Sequence, residues 1–318
     1  GVPLYRHINR LAGGPQMVMP VPCFGVLSGG VRAGDRFLAF QELSILPVGA
    51  ESFEGAVQMG LETFRALKAV ARERCSVHAP LEVGGGSLES PVQGTEAALQ
   101  LLEVAIREAG HEGEVLVGLR PASPEPRDAW EARYVRAERP SEGACCDAGA
   151  SLGTCEQLAA EYAEYCEAYP VALLEDPFAR EDLGSHAKLT AAVGSGVEIV
   201  GGDLYGSDPG RVQQGLEARA TNAVLLKVRQ AGTVTEAIAA WQLCWDSEWG
   251  VVVSHGAGET EDTFVADLAV GLGAGQLKTG APGCPEHLAG YNQLLRIGEE
   301  SGLPYCGTSF RRPWECRR

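Results

Sequence analysis

The sequence predicts an α/β protein that folds as a TIM-type (β/α)8 barrel. The first observation is a set of five short apolar runs between positions 172 and 277, each followed closely by an ionisable residue: Glu175, Asp203, Lys227, His255 and Lys278. By subtraction these residues lie 28, 24, 28 and 23 positions apart, about the length of one strand, one helix and two short loops. The second observation is that helix-start signals occupy the intervening segments, as at Thr233 and Glu236.

The charged residue at the end of each apolar run carries the functional prediction. Strands of a parallel sheet are buried on both faces and should be apolar. A charged residue could simply mark a strand end exposed to solvent, but that explanation is poor for five successive strands. In a closed barrel these strand ends converge on one mouth, where barrel enzymes hold their chemistry. Two carboxylates, two lysines and a histidine around one opening indicate an anion-binding site with a metal.

A pair of strands opens the predicted barrel before the repeat begins. The strands are predicted over 18–27 and 37–46, and the glycine-containing stretch 28–34 joins them. Because a short loop joins antiparallel neighbours, this opening departs from a purely parallel barrel. Glu42 in the second strand is predicted to be a polar residue of the mouth.

Helical periodicity predicts the outer layer. Apolar residues recur at helical spacing from Phe53 to Leu67, which indicates an amphipathic helix over 52–74. The other elements predicted are helices over 95–109, 154–168 (capped by Thr154 with Gln157) and 285–300, and a third strand over 114–119. The segment 121–153 has no clear period, and we expect an irregular surface excursion there.

Composition and charge exclude several functional classes. The chain has 318 residues and a formal net charge of −16, which argues against nucleic acid or an anionic membrane surface as the main partner. No apolar run approaches the ~20 residues that a membrane span needs. The ten cysteines form no C-x-x-C pair and are predicted to be small core residues in a reducing compartment, so we expect a cytoplasmic protein.

Several stretches closely resemble enolase, the phosphopyruvate hydratase family of glycolysis. They are Leu174-Glu175-Asp176-Pro177-Phe178, Leu225-Leu226-Lys227-Val228, Ser254-His255, Gly258-Glu259-Thr260-Glu261-Asp262-Thr263-Phe264, Lys278-Thr279-Gly280-Ala281-Pro282 and Tyr291-Asn292-Gln293-Leu294-Leu295-Arg296-Ile297. The resemblance implies a barrel of the ββαα(βα)6 variety over residues 15–318. It also implies that residues 1–14 form the linker helix from an N-terminal capping domain, which is absent from this sequence, and that the protein is a homodimer.

The resemblance also implies roles for individual residues. Enolases dehydrate 2-phosphoglycerate to phosphoenolpyruvate: a lysine removes a carbon-bound proton, magnesium stabilises the intermediate, and an acid helps the hydroxyl to leave. Lys227 matches the base, Lys278 the residue that contacts the substrate carboxylate, and His255 a residue on the substrate side. Glu175 and Asp203 match two ligands of magnesium.

The sequence departs from the family within this same machinery. Arg120 stands where the third metal carboxylate is expected, and Gly85 or Gly86 where the glutamate of the acid system is expected. The remaining departures are Arg32 for a histidine of the first hairpin loop, Gly256 for the phosphate-holding arginine, and Ala257 for the serine after it. A positioned acid contributes about 10²–10⁴ in rate, and a metal contributes several kcal/mol more.

These departures predict a catalytically impaired, enolase-like barrel that acts as a structural or binding protein. We further predict that the guanidinium of Arg120 reaches Glu175 or Asp203 and supplies the positive charge that magnesium would bring. One alternative is an active, weakened, magnesium-dependent lyase. Another is a barrel that binds a different small phosphorylated or carboxylated acid through the cationic residues and histidine of the mouth: Arg32, Lys227, Lys278 and His255.

Overall fold

The computed structural model describes residues 1–29, 40–75, 86–92, 94–121, 134–137, 150–256 and 258–316. The strands are β1 (Val21–Pro22), β2 (Phe24–Ser28), β3 (Phe40–Leu46), β4 (Leu88–Glu89), β5 (Leu116–Pro121), β6 (Tyr134–Ala137), β7 (Ala150–Gly153), β8 (Val171–Glu175), β9 (Glu198–Gly201), β10 (Ala223–Leu226), β11 (Gly250–Ser254) and β12 (Gln276–Lys278). The helices are α1 (Leu4–Leu11), α2 (Phe53–Cys75), α3 (Thr95–Glu108), α4 (Cys155–Ala168), α5 (Leu183–Val193), α6 (Pro209–Ala218), α7 (Val228–Ala231), α8 (Val234–Asp246), α9 (Phe264–Gly271) and α10 (Pro285–Ser301).

The main sheet curls into a barrel, which the stretch containing β1 and β2 closes. Its strand order is β1-β12-β11-β10-β9-β8-β5-β3-β2-β4, and β1 and β2 are two halves of one stretch interrupted at Cys23. The β1 half pairs in parallel with β12, whereas the β2 half pairs antiparallel with β3, so this stretch joins the two sides of the ring. Strand β3 is also antiparallel to β5, and the remaining neighbours around the ring are parallel. The (β/α)8 barrel with an antiparallel opening is confirmed.

Two apolar layers hold the barrel together. In β10, Val224 and Leu226 pack outward into the large core beneath the helices, whereas Ala223 and Leu225 point inward to a small cluster with Val252 and its neighbours. This alternation is the two-residue period of a strand. Full burial of each leucine-sized side chain stabilises the fold by about 1.5–3 kcal/mol. The double burial explains why these strands are apolar along their length.

Side-chain caps fix where helices begin. Thr154 accepts the N–H of Gln157, whose side chain accepts the N–H of Thr154, so the predicted capping box of α4 is confirmed. Thr233 likewise accepts the N–H of Glu236 at the start of α8. Such caps each contribute about 1 kcal/mol, and they start the helices just after the loops.

The segment predicted to be irregular contains regular structure, so that prediction is wrong in part. Strands β6 and β7 pair antiparallel as a separate two-stranded sheet. Each has only four residues, too few for an alternating pattern to emerge among the surrounding prolines and glycines.

The third barrel strand also ends later than predicted, at Pro121, which places Arg120 inside it. None of the helices in the described part of the chain has the length and apolar character needed to cross a bilayer.

Candidate active site at the barrel mouth

The predicted site residues gather at one end of the barrel. Glu175 and Lys278 are the last residues of β8 and β12, and Lys227 and His255 directly follow β10 and β11. Asp203 lies two residues beyond the end of β9. Carboxyl ends of parallel strands share one end of a barrel, so the chain topology itself forms this mouth.

Glu42 and Arg120 complete the mouth from the antiparallel side. Glu42 is near the start of β3, and its register partner on β5 is Arg120. Because β3 runs against its neighbours, its amino-terminal end lies beside the carboxyl ends of the parallel strands. Side chains from opposite directions of the chain therefore meet at the same opening.

Lys278 forms the buried centre of the mouth. Its Nζ lies 2.6 Å from Oε2 of Glu175 and 2.8 Å from Oε1 of Glu42, the latter without the alignment of a good hydrogen bond. The side chains of Lys278 and Glu175 are only 8% and 1% exposed. Burial opposes both charges, but Lys278 and then Arg120 hold the pKa of Glu175 at about 2, and the two carboxylates raise the pKa of Lys278. Glu175 and Lys278 are therefore both ionised at neutral pH.

Arg120 bridges Glu175 and Asp203, the two carboxylates that the sequence predicted as metal ligands. Its Nη2 donates to Oδ2 of Asp203 at 2.9 Å, and its Nε lies 3.3 Å from Oε1 of Glu175. Burial opposes the charge, yet the carboxylates of Glu175, Asp176 and Asp203 raise the pKa of Arg120 above its ordinary value. The predicted contact of Arg120 with these carboxylates is confirmed, and it involves both of them.

The described residues of the mouth do not fit a magnesium ion. Magnesium requires a near-octahedral set of hard oxygen ligands. Both oxygens of Glu175 face a cation, Lys278 or Arg120, and Oδ2 of Asp203 accepts from Arg120. Within the described ranges, no three or more His, Cys, Asp or Glu side chains are grouped so that they could hold a metal ion. The guanidinium occupies the space between the carboxylates and would repel a divalent cation.

Asp176, whose role the sequence analysis missed, positions Asp203. It adopts a positive φ of 47°, a conformation that aspartate tolerates better than most residues. Its carboxylate accepts the N–H groups of Gly202 and Asp203, both at 2.8 Å, and of Leu204 at 3.3 Å. A Cβ on Gly202 would lie 2.8 Å from Oδ2 of Asp176, so only glycine permits this approach. Burial, and then the charge of Glu175, raise the pKa of Asp176 to about 6 despite these hydrogen bonds.

Lys227 and His255 face the mouth without joining its ion pairs. The backbone N–H of Lys227 donates to Oγ of Ser207 at 2.9 Å, whereas its ammonium donates no hydrogen bond to any residue that the structure describes. Burial lowers the pKa of Lys227, although Glu175 partly offsets this effect. Nδ1 of His255 donates to the carbonyl oxygen of Lys278 at 2.9 Å, which leaves Nε2 as an acceptor. Burial also lowers the pKa of His255, so this imidazole is neutral at pH 7.

The predicted departures from the enolase pattern lie partly in the described and partly in the undescribed parts of the chain. Arg32, Gly85 and Ala257 lie outside the described residues. Gly86 packs against the backbone of Gly283, where a Cβ would lie 2.9 Å from the Cα of that residue. Gly256 lies beneath a side chain that the sequence analysis did not consider, that of Arg229. No local pattern could have predicted that contact, because it joins the loops after two different strands.

A second buried carboxylate lies away from the mouth. Glu198, within a predicted apolar run, begins β9 and is 1% exposed. Its Oε2 accepts the side-chain amide of Gln276, while its Oε1 has no hydrogen-bond partner among the described residues. Burial raises the pKa of Glu198 to about 7, although the amide of Gln276 and the charge of Arg311 oppose this shift. Since Glu198 and Gln276 begin parallel strands, they lie at the end of the barrel opposite the mouth.

Comparisons with known proteins agree with the geometry. The family model described as "Enolase, C-terminal TIM barrel domain" matches residues 16–313. Enolase of Solanum lycopersicum is 44% identical over 316 residues, which cover 99% of this chain and 70% of that protein. Enolase 2 of Hevea brasiliensis is 42% identical over 317 residues (99% and 70%), and enolase of Eimeria tenella is 45% identical over 317 residues (98% and 70%). The chain therefore belongs to the enolase family, and it contains the C-terminal barrel domain of that family.

Proposed function

We propose that this enolase-family barrel is impaired in the dehydration of 2-phosphoglycerate and acts as a structural or binding protein. The observation that supports this proposal is the bridge that Arg120 forms from Asp203 to Glu175. Two adjacent carboxylates, of which Glu175 is buried, are costly without a counter-ion, and the guanidinium of Arg120 compensates them as a metal would. It does so without the Lewis acidity or the open coordination positions that the reaction requires.

Magnitudes favour impairment over a small loss of rate. Metal stabilisation of a developing charge contributes several kcal/mol, and a positioned general acid contributes about 10²–10⁴ in rate. Both contributions depend on positions at which this sequence departs from the family, namely Arg120 for the metal and Gly85 or Gly86 for the acid. Lys227 alone supplies only the base.

The direct test is the formation of phosphoenolpyruvate from 2-phosphoglycerate, followed by ultraviolet absorbance in excess Mg²⁺. We expect turnover at least ~10²-fold below that of a full-length enolase assayed in parallel, because the contribution of one positioned acid alone has that size. Calorimetric titration of the same protein with Mg²⁺ should show no binding at the mouth. Turnover close to that of the reference enolase would refute the proposal.

A magnesium-dependent enolase of weakened activity is the second candidate, and Lys227 supports it. Its buried ammonium has a lowered pKa, which suits a general base, and it matches the family base in position. On this alternative, residual turnover requires Mg²⁺ and disappears in Lys227→Met.

From family membership we further propose a cytoplasmic homodimer. Sedimentation of the purified chain would test the dimer, and localisation of a tagged copy would test the compartment.

A further inference from the structure

We infer that Cys306 and Cys316 form a reversible disulfide, which closes residues 306–316 into a ring at the base of the barrel under oxidising conditions. The base is the end opposite the mouth, so the inference goes beyond the proposed function and does not depend on it. Both residues are free thiols in the structure. Residues 306–316, the closing segment, contain two single-turn 3-10 helices, Gly307–Ser309 and Pro313–Glu315.

The two thiols are neighbours in one small buried cluster. Cys306 and Cys316 are 3% and 8% exposed, and both belong to the apolar cluster that contains Phe310. The thiol of Cys316 donates to the carbonyl oxygen of Tyr305 at 3.5 Å, and that oxygen belongs to the peptide group bonded to Cys306. The side chains of the two cysteines also form a hydrogen bond with each other. A disulfide requires neighbouring sulfur atoms, and this pair meets that requirement before any bond forms.

A third cysteine of the same cluster is directed elsewhere. Cys23 lies between β1 and β2, and its thiol donates to Oε1 of Gln276 at 3.5 Å. The buried side chain of Gln276 in turn donates to Glu198 inside the barrel. The contacts of Cys23 therefore point to the barrel interior, whereas those of Cys306 and Cys316 point to each other.

Contacts that do not involve sulfur hold the closing segment against the base. The guanidinium of Arg311 donates to three carbonyl oxygens just before β9, at 2.6, 3.1 and 3.3 Å, those of Gly194, Ser195 and Val197. The carbonyl oxygen of Phe310 lies so close to Gly275, the residue before β12, that no Cβ fits between them. Since β9 and β12 are parallel strands of the ring, these contacts place the closing segment at their amino-terminal ends, which form the base.

The backbone of each cysteine in the pair is also held. The N–H of Cys306 donates to the carbonyl oxygen of Met19 at 2.9 Å. The side-chain amide of Gln16 donates to the carbonyl oxygen of Cys316 at 2.6 Å. Gln16 and Met19 belong to the stretch that leads into β1, so one part of the barrel orients both thiols. Because the folded chain already orients them, formation of the bond costs little further conformational entropy.

Oxidised glutathione, a small disulfide, is an oxidant that gives a balanced reaction. Burial raises the pKa of both thiols, but the hydrogen bond from Cys306 partly offsets this rise in the pKa of Cys316, which is also the more exposed of the two. The thiolate of Cys316 attacks one sulfur of oxidised glutathione and releases a glutathione thiolate. The thiolate of Cys306 then attacks the sulfur of Cys316 and releases the second. The two cysteines lose two protons and two electrons, and the glutathione disulfide gains them as two thiols.

Closure of the ring should stabilise the folded protein. A disulfide restricts the unfolded chain, and for a loop of roughly ten to fifteen residues it lowers the unfolding equilibrium constant about 10²-fold. The reduced protein keeps the noncovalent contacts of the closing segment, so the fold is the same in both redox states. The bond therefore changes stability and leaves the architecture of the mouth unaltered.

The experiment compares the full chain in dithiothreitol with the same protein in oxidised glutathione at about pH 8.5, where more of each thiol is ionised. Free thiols are then alkylated, and the protein is digested with trypsin without reduction. Cleavage after Arg311 places Cys306 and Cys316 in separate peptides, so mass spectrometry detects their disulfide as a linked pair. We expect the linked pair in the oxidised sample alone, and urea unfolding with an equilibrium constant ~10²-fold lower than that of the reduced sample.

Cys316→Ser should lose both the linked peptides and the gain in stability on oxidation. Cys166→Ser is the matched control and should retain both, because Cys166 is a partly buried thiol on α4, outside the cluster that contains the pair. Peptide mapping of the unsubstituted chain gives an answer even where a variant fails to fold. Pairing of Cys306 with Cys23, or free thiols at both 306 and 316 after oxidation, would each overturn the inference. Neither outcome bears on the proposed function, which Mg²⁺-dependent turnover tests separately.

Discussion

Arg120→Asp is the most informative perturbation, because it would convert the mouth from a guanidinium bridge to a set of three carboxylates. In EDTA the variant loses a contact of 3.3 Å to Glu175, which is 1% exposed, and one of 2.9 Å to Asp203, which is 45% exposed. Breaking a buried ion pair costs about 3–5 kcal/mol, and an exposed pair costs at most about 1 kcal/mol. Lys278 still compensates Glu175, so we expect the free energy of unfolding to fall by about 2–4 kcal/mol.

Magnesium should reverse this loss in the variant and leave the unsubstituted protein unchanged. A ligand present at 100 times its dissociation constant stabilises a folded protein by about 2.7 kcal/mol. The assay is urea unfolding followed by circular dichroism, with and without saturating Mg²⁺, for the two proteins side by side. Arg120→Met serves as a control, since it removes the guanidinium without adding a ligand and should not respond to Mg²⁺. Stabilisation of the unsubstituted protein by Mg²⁺, equal to that of Arg120→Asp, would refute the reasoning.

Two further predictions concern buried charges. Lys278→Met leaves Glu175 and Glu42 without their shared ammonium. We therefore expect urea unfolding to show that the free energy of unfolding falls by about 3–5 kcal/mol, more than it falls for Arg120→Met. An equal or smaller fall than for Arg120→Met would contradict the central position of Lys278. The pKa of Glu198 is raised from 4.5 to about 7, so the folded state binds more protons than the unfolded state in that window, and the free energy of unfolding should fall as pH rises from about 4.5 to 7. Glu198→Gln should flatten this fall. The pKa of Glu175, lowered to about 2, produces the opposite slope only below pH 4.5. A pH profile that Glu198→Gln leaves unchanged would contradict the assignment of the fall to Glu198.

The sequence alone predicted which residues surround the mouth, because strand periodicity and charge are local features of the chain. An ionisable residue placed just beyond each buried run can only lie at a strand end, and parallel strands bring those ends together. The contact of Arg120 with Glu175 and Asp203 followed from electrostatics, because an arginine beside carboxylates at a buried opening has no better partner. Its inclusion in β5 needed the structure, since strand ends are uncertain by a few residues.

Other features could not be predicted because they depend on contacts between distant segments. Asp176 acts through backbone N–H groups of the loop after β9, a role that its side chain alone does not reveal. Glu198 was hidden in an apolar run, and its burial depends on Gln276, a residue of another strand. Arg229 contacts Gly256 only because the loop after β11 passes beneath it. The sequence around Gly256 does not show which distant side chain packs against that glycine.

The proposed replacement of a metal ion by the guanidinium of Arg120 can be tested directly in crystals soaked with Mn²⁺, whose anomalous scattering would locate any divalent ion. We predict no anomalous peak between Glu175 and Asp203, and an Arg120 side chain that keeps its contacts of 3.3 and 2.9 Å with them. A six-coordinate ion bound by these two carboxylates, with Arg120 turned out to solvent, would contradict the proposed loss of the metal site.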